Sequence, residues 1–138
     1  MLFRSIQNCL SGETMSFILS QKSMRRLEGV NPDLVKVVKR AIQITPIDFI
    51  VVEGLRTKER QAYLVEKGAS KTMNSRHITG HAVDLAPIVD NKVSWDWKHF
   101  YPLAEAVKQA AKEVKVAVEW GGDWASFRDG PHWQLPRD

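Results

Sequence analysis

The strongest constraint on the fold is one acidic residue inside an apolar strand. Residues 81–89 read HAVDLAPIV, and their alternation predicts a strand in which Val83 and Leu85 point to a buried face. Asp84 then lies on the opposite face, and a carboxylate amid apolar residues requires a partner. A metal ion is a good partner for it, and a capping or salt-bridged aspartate is the alternative.

The rest of the chain predicts helices mixed with short strands. Asn31 and Pro32 mark the start of an amphipathic helix that ends before Pro46. Further helices are predicted over residues 20–27 with Ser20 as the cap, from Thr57 to about residue 67, and over 102–115. Strands are predicted over residues 48–55, 81–89, 116–120 and 132–135. Because no regular βαβ rhythm is present, the predicted fold class is α+β.

Length and composition indicate one domain. The chain has 138 residues, and its single cysteine, Cys9, excludes an internal disulfide and is not expected to be a nucleophile. Residues 1–14 are interpreted as a disordered leader, and residues 15–138 as one catalytic domain. The polar residues in the opening segment do not fit a signal peptide, and no apolar run is long enough to cross a membrane. We therefore expect synthesis in the cytoplasm, with no stable membrane insertion.

The net charge of +4 and the pI near 9.3 favour contact with a polyanion such as nucleic acid, an anionic membrane or a bacterial cell wall. Lysines and arginines are scattered, with no dense basic run and no recognisable nucleic-acid motif. A nucleic-acid binder is therefore the weakest of the functional interpretations.

Two of the four histidines have neighbourhoods that suggest chemistry. His77 precedes Gly80, which permits a sharp bend, and the strand carrying Asp84 follows. His132 follows Asp129 after an intervening Gly-Pro turn that can hold the carboxylate beside a metal. Catalytic zinc needs three protein ligands, an open position for water and a base, and these four residues supply that set. His81 and His99 lack such surroundings, and we interpret them as residues that support the site from behind, lie at the surface or pack against a helix.

The motif Ser75-x-His77-x-x-Gly80-x-Ala82-x-Asp84, with Asp129-x-x-His132 later in the chain, resembles the VanY/VanX-like zinc peptidases of peptidase family M15. Within that family the chain is most similar to phage endolysins that act as L-alanyl-D-glutamate peptidases. The segments WGGDW at 120–124 and FRDGPHW at 127–133 are the specific part of the likeness, which covers about residues 16–135. It implies a small, mostly antiparallel sheet flanked by helices around a zinc site, as in the hedgehog/DD-peptidase fold.

The resemblance also implies residue roles. His77, Asp84 and His132 match the zinc ligands, and Asp129 matches the catalytic base, where many members have the longer glutamate. Arg56 matches an arginine that contacts a substrate carboxylate or the developing oxyanion, and a solvated arginine at a strand end is the alternative. Ser75 matches a residue that lines the site and binds substrate.

The aromatic residues are assigned to packing first. Trp120, Trp124 and Trp133 are expected in the core or cleft wall, with stacking against sugar as the alternative. The aromatic segment 95–101, which includes His99, is expected to pack against the helix that follows Pro102.

The resulting functional prediction is a zinc-dependent, monomeric endopeptidase that hydrolyses the stem peptide of bacterial peptidoglycan. It would reach the wall from the cytoplasm through a membrane pore. A D-Ala-D-Ala carboxypeptidase or dipeptidase with the same metal chemistry is the nearest alternative. A non-catalytic, zinc-stabilised wall-binding module is a second alternative, which the presence of Asp129 argues against.

Overall fold

The computed structural model describes residues 16–70, 72–126 and 128–137, so the predicted leader and Cys9 lie outside the described residues. The helices are α1 (Gln21–Arg26), α2 (Pro32–Ile44), α3 (Lys58–Glu66) and α4 (Trp97–Val114). The strands are β1 (Phe49–Glu53), β2 (Ala82–Val89), β3 (Lys92–Val93), β4 (Glu119–Trp120) and β5 (His132–Gln134). A 3-10 turn, Gly121–Asp123, joins β4 to the segment before β5.

Local capping fixes where the first three helices begin. Ser20, Asn31 and Thr57 each accept a hydrogen bond from a backbone N–H in the first turn of α1, α2 and α3. Pro32 occupies the first position of α2, where its missing N–H removes no helical bond. These three predicted starts are confirmed.

The predicted start of the last long helix is wrong. Helix α4 begins at Trp97, five residues before Pro102, and Asp96 caps it by accepting from the Lys98 N–H. Pro102 lies inside the helix, where it forfeits one backbone hydrogen bond. The cap and the buried face of α4, which includes Phe100, outweigh that loss. Most of the aromatic segment therefore belongs to α4, and does not pack against a helix that starts later.

The sheet has the order β1-β2-β5-β4 with antiparallel pairing, and β3 pairs with β2. Its two faces differ sharply in chemistry. One face packs on α2 and α4, and Val51, Val83, Leu85 and Trp133 are each at most 1% exposed there. The α+β prediction, and the buried side predicted for Val83 and Leu85, are confirmed.

The other face of the sheet is polar. Asp84 pairs directly with His132, and Gln134 pairs with both Ala82 and Glu119, so the side chains of these strands share one surface. A bulge between Val51 and Glu53 brings Glu53 opposite Asp84 on the neighbouring strand. In the described part of the chain, no helix is long and apolar enough to cross a membrane.

Candidate metal centre and active site

Three potential metal ligands converge at the polar face. Asp84 on β2 and His132 on β5 are cross-strand partners, and His77 comes from the turn that precedes β2. Their ligand atoms all lie within 4.8 Å of one another. Strand pairing therefore determines the spacing of Asp84 and His132, and the turn determines the position of His77.

The turn holds His77 by its backbone and by one ring nitrogen. The Nδ1–H donates to Gly54 O at 2.8 Å, and the His77 backbone N–H donates to Ser75 Oγ at 3.1 Å. Gly80 has φ +77°, and a Cβ there would collide with Gly29 O, so only glycine allows this close approach. Because Gly54 O can only accept, Nδ1 carries the hydrogen, and Nε2 faces Asp84 Oδ1 at 3.2 Å.

A chain of hydrogen bonds orients His132 in the opposite sense. His132 Nε2 donates to Gln134 Oε1 at 2.8 Å, and Gln134 Nε2 donates to Glu119 Oε1 at 3.1 Å. Because a carboxylate only accepts, Glu119 fixes which way the Gln134 amide points. His132 Nδ1 is then left facing Asp84 Oδ1 at 3.4 Å. Sequence reasoning missed Gln134, although its position two residues after His132 on a strand places both on one face.

Two of the three donor–donor distances match those around a tetrahedral metal ion. Ligand bonds of about 2.0–2.1 Å to zinc require neighbouring donor atoms about 3.3–3.4 Å apart. The two nitrogen–oxygen distances at Asp84 Oδ1 are 3.2 and 3.4 Å. The donor set of two imidazoles and one carboxylate also suits zinc. His77, Asp84 and His132 could therefore hold a metal ion, and the polar neighbours that orient the two histidines are present as well.

The pKa shifts of the cluster also favour a bound cation. Burial alone raises the pKa of Asp84, but hydrogen bonds from His132 and His77 outweigh it and hold that pKa well below its usual range. Burial lowers the pKa of His132, but the hydrogen bond and charge of Asp84 outweigh burial, and the pKa is raised overall. The site therefore favours positive charge beside Asp84, as a proton or as a metal ion.

Asp129 lies at the mouth of the same cleft, in the turn before β5. Its backbone N–H donates to Gly121 O at 3.0 Å, and its carbonyl accepts from the His132 N–H at 3.2 Å. A Cβ on Gly121 would collide with the Asp129 carbonyl, so this glycine permits the close approach. Desolvation of the carboxyl group by the surrounding cleft, and the negative charge of Asp84, raise the pKa of Asp129, which suits a group that takes up a proton.

Arg56 borders the ligand cluster on the side of β1. Its guanidinium donates to Gln61 Oε1 at 2.7 Å and to Glu53 Oε1 at 2.6 Å, and it lies 3.7 Å from Asp84 Oδ2. The side chain is only 9% exposed, and its Nε has no hydrogen-bond partner among the described residues. Arg56 is therefore a fixed cation beside the cluster, and not a solvated arginine at a strand end.

The cleft around the ligands has a volume of about 870 Å³. Ser75 and Trp124 line it, and the Trp124 ring lies 5.2 Å from the His132 ring. Its lining also includes five arginines: Arg56, Arg60, Arg76, Arg128 and Arg137. The same lining carries four carboxylates, those of Glu53, Asp84, Glu119 and Asp129, so the cleft suits a polar substrate whose own carboxylates the arginines can bind.

Other predicted residues lie away from the ligands. His81 hydrogen-bonds to Thr79 and His99 to Ser94, and neither belongs to the cluster. Trp120 and Trp133 stack on each other and are 5% and 1% exposed, so sugar stacking is wrong for them.

Three residues that could hold a metal ion, beside an open cleft and a further carboxylate, form an arrangement that suits hydrolysis. The family model for phage L-alanyl-D-glutamate peptidase matches residues 15–133. The chain belongs to this family and is a peptidase.

Individual relatives carry the same family name. The chain is 37% identical over 119 residues to L-alanyl-D-glutamate peptidase of Escherichia phage T5, covering 83% of this chain and 87% of the relative. It is 41% identical over 89 residues to L-alanyl-D-glutamate peptidase of Listeria phage A118, covering 64% of this chain but 31% of that longer protein. It is also similar to a solved structure, the L-Ala D-Glu endopeptidase ChiX of Serratia marcescens, with a TM-score of 0.81 and 45% identity over 86% of this chain and 90% of that one.

Proposed function

We propose that this protein is a zinc-dependent endopeptidase that hydrolyses the L-Ala–D-Glu bond in the stem peptide of bacterial peptidoglycan. One observation carries the proposal: His77 Nε2 and His132 Nδ1 converge on Asp84 Oδ1, at 3.2 and 3.4 Å, inside an arginine-lined cleft. Relatives that bear the name L-alanyl-D-glutamate peptidase support the choice of bond. The net charge of +4 favours contact with an anionic wall.

In the mechanism, zinc held by His77, Asp84 and His132 would polarise the scissile carbonyl and lower the pKa of water to about 7. Asp129 accepts the proton of the attacking water and then delivers it to the nitrogen of the leaving D-Glu. The pKa of Asp129 is raised, which brings its proton affinity closer to what both transfers need.

Arg56 and the cleft arginines bind the substrate. In peptidoglycan, D-Glu continues the chain through its side-chain carboxyl, so its α-carboxylate is free beside the scissile nitrogen. Arg56 is held rigidly by Glu53 and Gln61, and a guanidinium fixed in this way can pair with a carboxylate or stabilise negative charge on the carbonyl oxygen. Ser75 lines the same cleft and is proposed to hydrogen-bond the substrate.

The test uses purified peptidoglycan with untreated, chelator-treated and zinc-restored protein, followed by analysis of the products. We expect chelator to stop hydrolysis, zinc to restore it, and new amino-terminal D-glutamate to appear. Release of D-alanine would instead identify a D-Ala-D-Ala carboxypeptidase or dipeptidase. Wall binding without any cleavage by folded, zinc-loaded protein would identify a non-catalytic module.

A further inference from the structure

An exposed aromatic surface borders the candidate active site. Among the described residues, three of the four exposed aromatic side chains lie together at the start of α4: Trp95 at 60%, Trp97 at 38% and Tyr101 at 47% exposure. The Arg128 guanidinium lies 4.4 Å from the centre of the Trp97 ring and donates to the Tyr101 hydroxyl at 3.3 Å. We call Trp95, Trp97, Tyr101 and Arg128 the aromatic platform.

The platform rests on buried rings that hold it in place. Trp95 stacks on Phe100 with ring centres 6.3 Å apart, and Tyr101 meets Trp120 edge to face at 5.9 Å. Phe100 and Trp120 are 4% and 5% exposed. Exposing two tryptophans and a tyrosine to water is unfavourable, and such a patch often marks a binding site. Because buried rings already hold these side chains in place, binding a ligand would cost little side-chain entropy.

The platform is continuous with the catalytic turn. Arg128 precedes Asp129 and lines the cleft, and its Nε donates to Gly122 O at 3.0 Å. A Cβ built on Gly130 would lie 3.6 Å from Trp97 Cη2, so the tryptophan ring packs against the turn between Asp129 and His132. The platform therefore meets the cleft at Arg128, and a ligand that contacts both the platform and this guanidinium would extend into the cleft that holds Asp129.

The covalent structure of peptidoglycan identifies the part of the substrate that lies beside the scissile bond. The L-Ala residue of the stem is joined through its nitrogen to the lactyl group of a muramic acid sugar. Only one amino acid and that short linker separate the sugar from the scissile bond. At about 3.5 Å per extended residue, the sugar ring lies within roughly 10 Å of the reacting carbonyl.

We propose that the aromatic platform binds the glycan strand of peptidoglycan at the muramic acid that carries the scissile L-Ala. The apolar C–H face of a pyranose packs on a tryptophan or tyrosine ring, and Arg128 supplies hydrogen-bond donors for the groups at its edge. The D-Glu side of the substrate then points toward Arg56 on the opposite wall of the cleft. This inference rests on the proposed function and adds the subsite and the direction of the substrate.

The test compares two substrates of the zinc-loaded protein: a disaccharide-linked stem peptide, and the same peptide with its L-Ala nitrogen acetylated and no sugar. For Trp95→Ala and Tyr101→Ala, we expect the ratio of kcat/KM for the sugar-bearing substrate over the sugar-free one to fall about two- to tenfold. Trp95→Tyr, which keeps a stacking ring, should retain most of the ratio. Tyr63→Ala removes an exposed aromatic residue of α3 outside the platform and should leave the ratio unchanged.

An unchanged ratio in folded Trp95→Ala and Tyr101→Ala would overturn the platform, while hydrolysis of both substrates would still support the proposed function. Failure of the wild type on both substrates and on intact peptidoglycan would overturn the proposed function itself. A wild-type dimer that Trp95→Ala dissociates, in sedimentation, would show that the platform binds a second copy. Tryptophan fluorescence with peptide-free glycan strands supplies a second readout: saturable quenching is expected in the wild type, and its persistence in Trp95→Ala would contradict the proposal.

Discussion

His77 Nε2 lies 3.2 Å from Asp84 Oδ1, and the other nitrogen of the same ring donates its hydrogen to Gly54 O. In a neutral ring, Nε2 therefore directs a lone pair at a carboxylate oxygen. His132 Nδ1 approaches that oxygen at 3.4 Å, with its own partner nitrogen bonded to Gln134. Three electron-rich atoms that converge in this way are stabilised by a proton or a metal ion between them, so the cluster could hold a metal ion.

Removal of His77 should abolish both zinc binding and hydrolysis. We expect His77→Ala to lose stoichiometric zinc, because two ligands do not replace three, and elemental analysis after dialysis measures this. His81→Ala is the matched control, since His81 bonds to Thr79 outside the cluster. A zinc-replete, active His77→Ala protein would exclude His77 as a ligand.

Removal of the Asp129 carboxylate should separate metal binding from catalysis. We expect Asp129→Ala to keep its zinc while kcat falls about 10²–10⁴-fold, the usual contribution of a general base. Asp123→Ala is the control, because Asp123 lies in the same connection but pairs with Lys108 at 2.8 Å. Loss of zinc from Asp129→Ala would move Asp129 from base to ligand.

Gln134 should act through His132. Replacing it with methionine removes the acceptor that holds His132 Nε2 and leaves Glu119 without its amide donor. We expect Gln134→Met to weaken zinc binding about 10–100-fold, measured by competition with a chelator. Gln109→Met changes an exposed glutamine on α4 that bonds Glu113, and should leave affinity unchanged. Equal zinc affinity in both variants would show that Gln134 does not orient the ligand.

The guanidinium geometry of Arg56, and not only its positive charge, should be needed for activity. Arg56→Lys keeps the positive charge but cannot reach both Glu53 and Gln61 as the guanidinium does. We expect kcat/KM to fall at least about tenfold with zinc content unchanged. Arg40→Lys, in the surface pair with Glu113, is the control. An Arg56→Lys enzyme with wild-type kcat/KM would leave Arg56 without a role in recognition or in oxyanion stabilisation.

Asp129 should destabilise the metal-free protein near neutral pH. Its pKa is raised in the folded state, so ionisation costs folding free energy above that pKa, and the cost disappears once pH falls below the unfolded value. We expect Asp129→Asn to raise the Tm of zinc-free protein at pH 7, with the difference shrinking on acidification. Zinc should also shrink the difference, because it supplies positive charge beside the carboxylate. A Tm difference that grows as pH falls would contradict the assigned direction.

Local sequence patterns predict much of the architecture. The caps at Ser20, Asn31 and Thr57 and the positive φ of Gly80 are local features, so pattern alone predicts them, whereas the close approach of Gly80 to Gly29 is a tertiary contact. The alternation around Asp84 likewise assigns its side chain to the face opposite the core, because strand residues alternate between faces. The start of α4 escapes prediction because Pro102 is a local stop signal that the Asp96 cap and buried Phe100 override.

The candidate site is predicted in part by the sequence and in part only by the tertiary structure. Sequence by itself, through its motifs and the family resemblance, singles out His77, Asp84, Asp129 and His132, and the structure brings the three candidate ligands together. Only the tertiary structure reveals that Glu53 fixes Arg56 and that Gln134 orients His132. It also shows that, among the described residues, three of the four exposed aromatic rings lie at the start of α4, while Trp120 and Trp133 are buried. These relationships depend on strand register, a bulge and the packing of distant segments. No local pattern determines them, because they arise only when residues far apart in the chain share one surface.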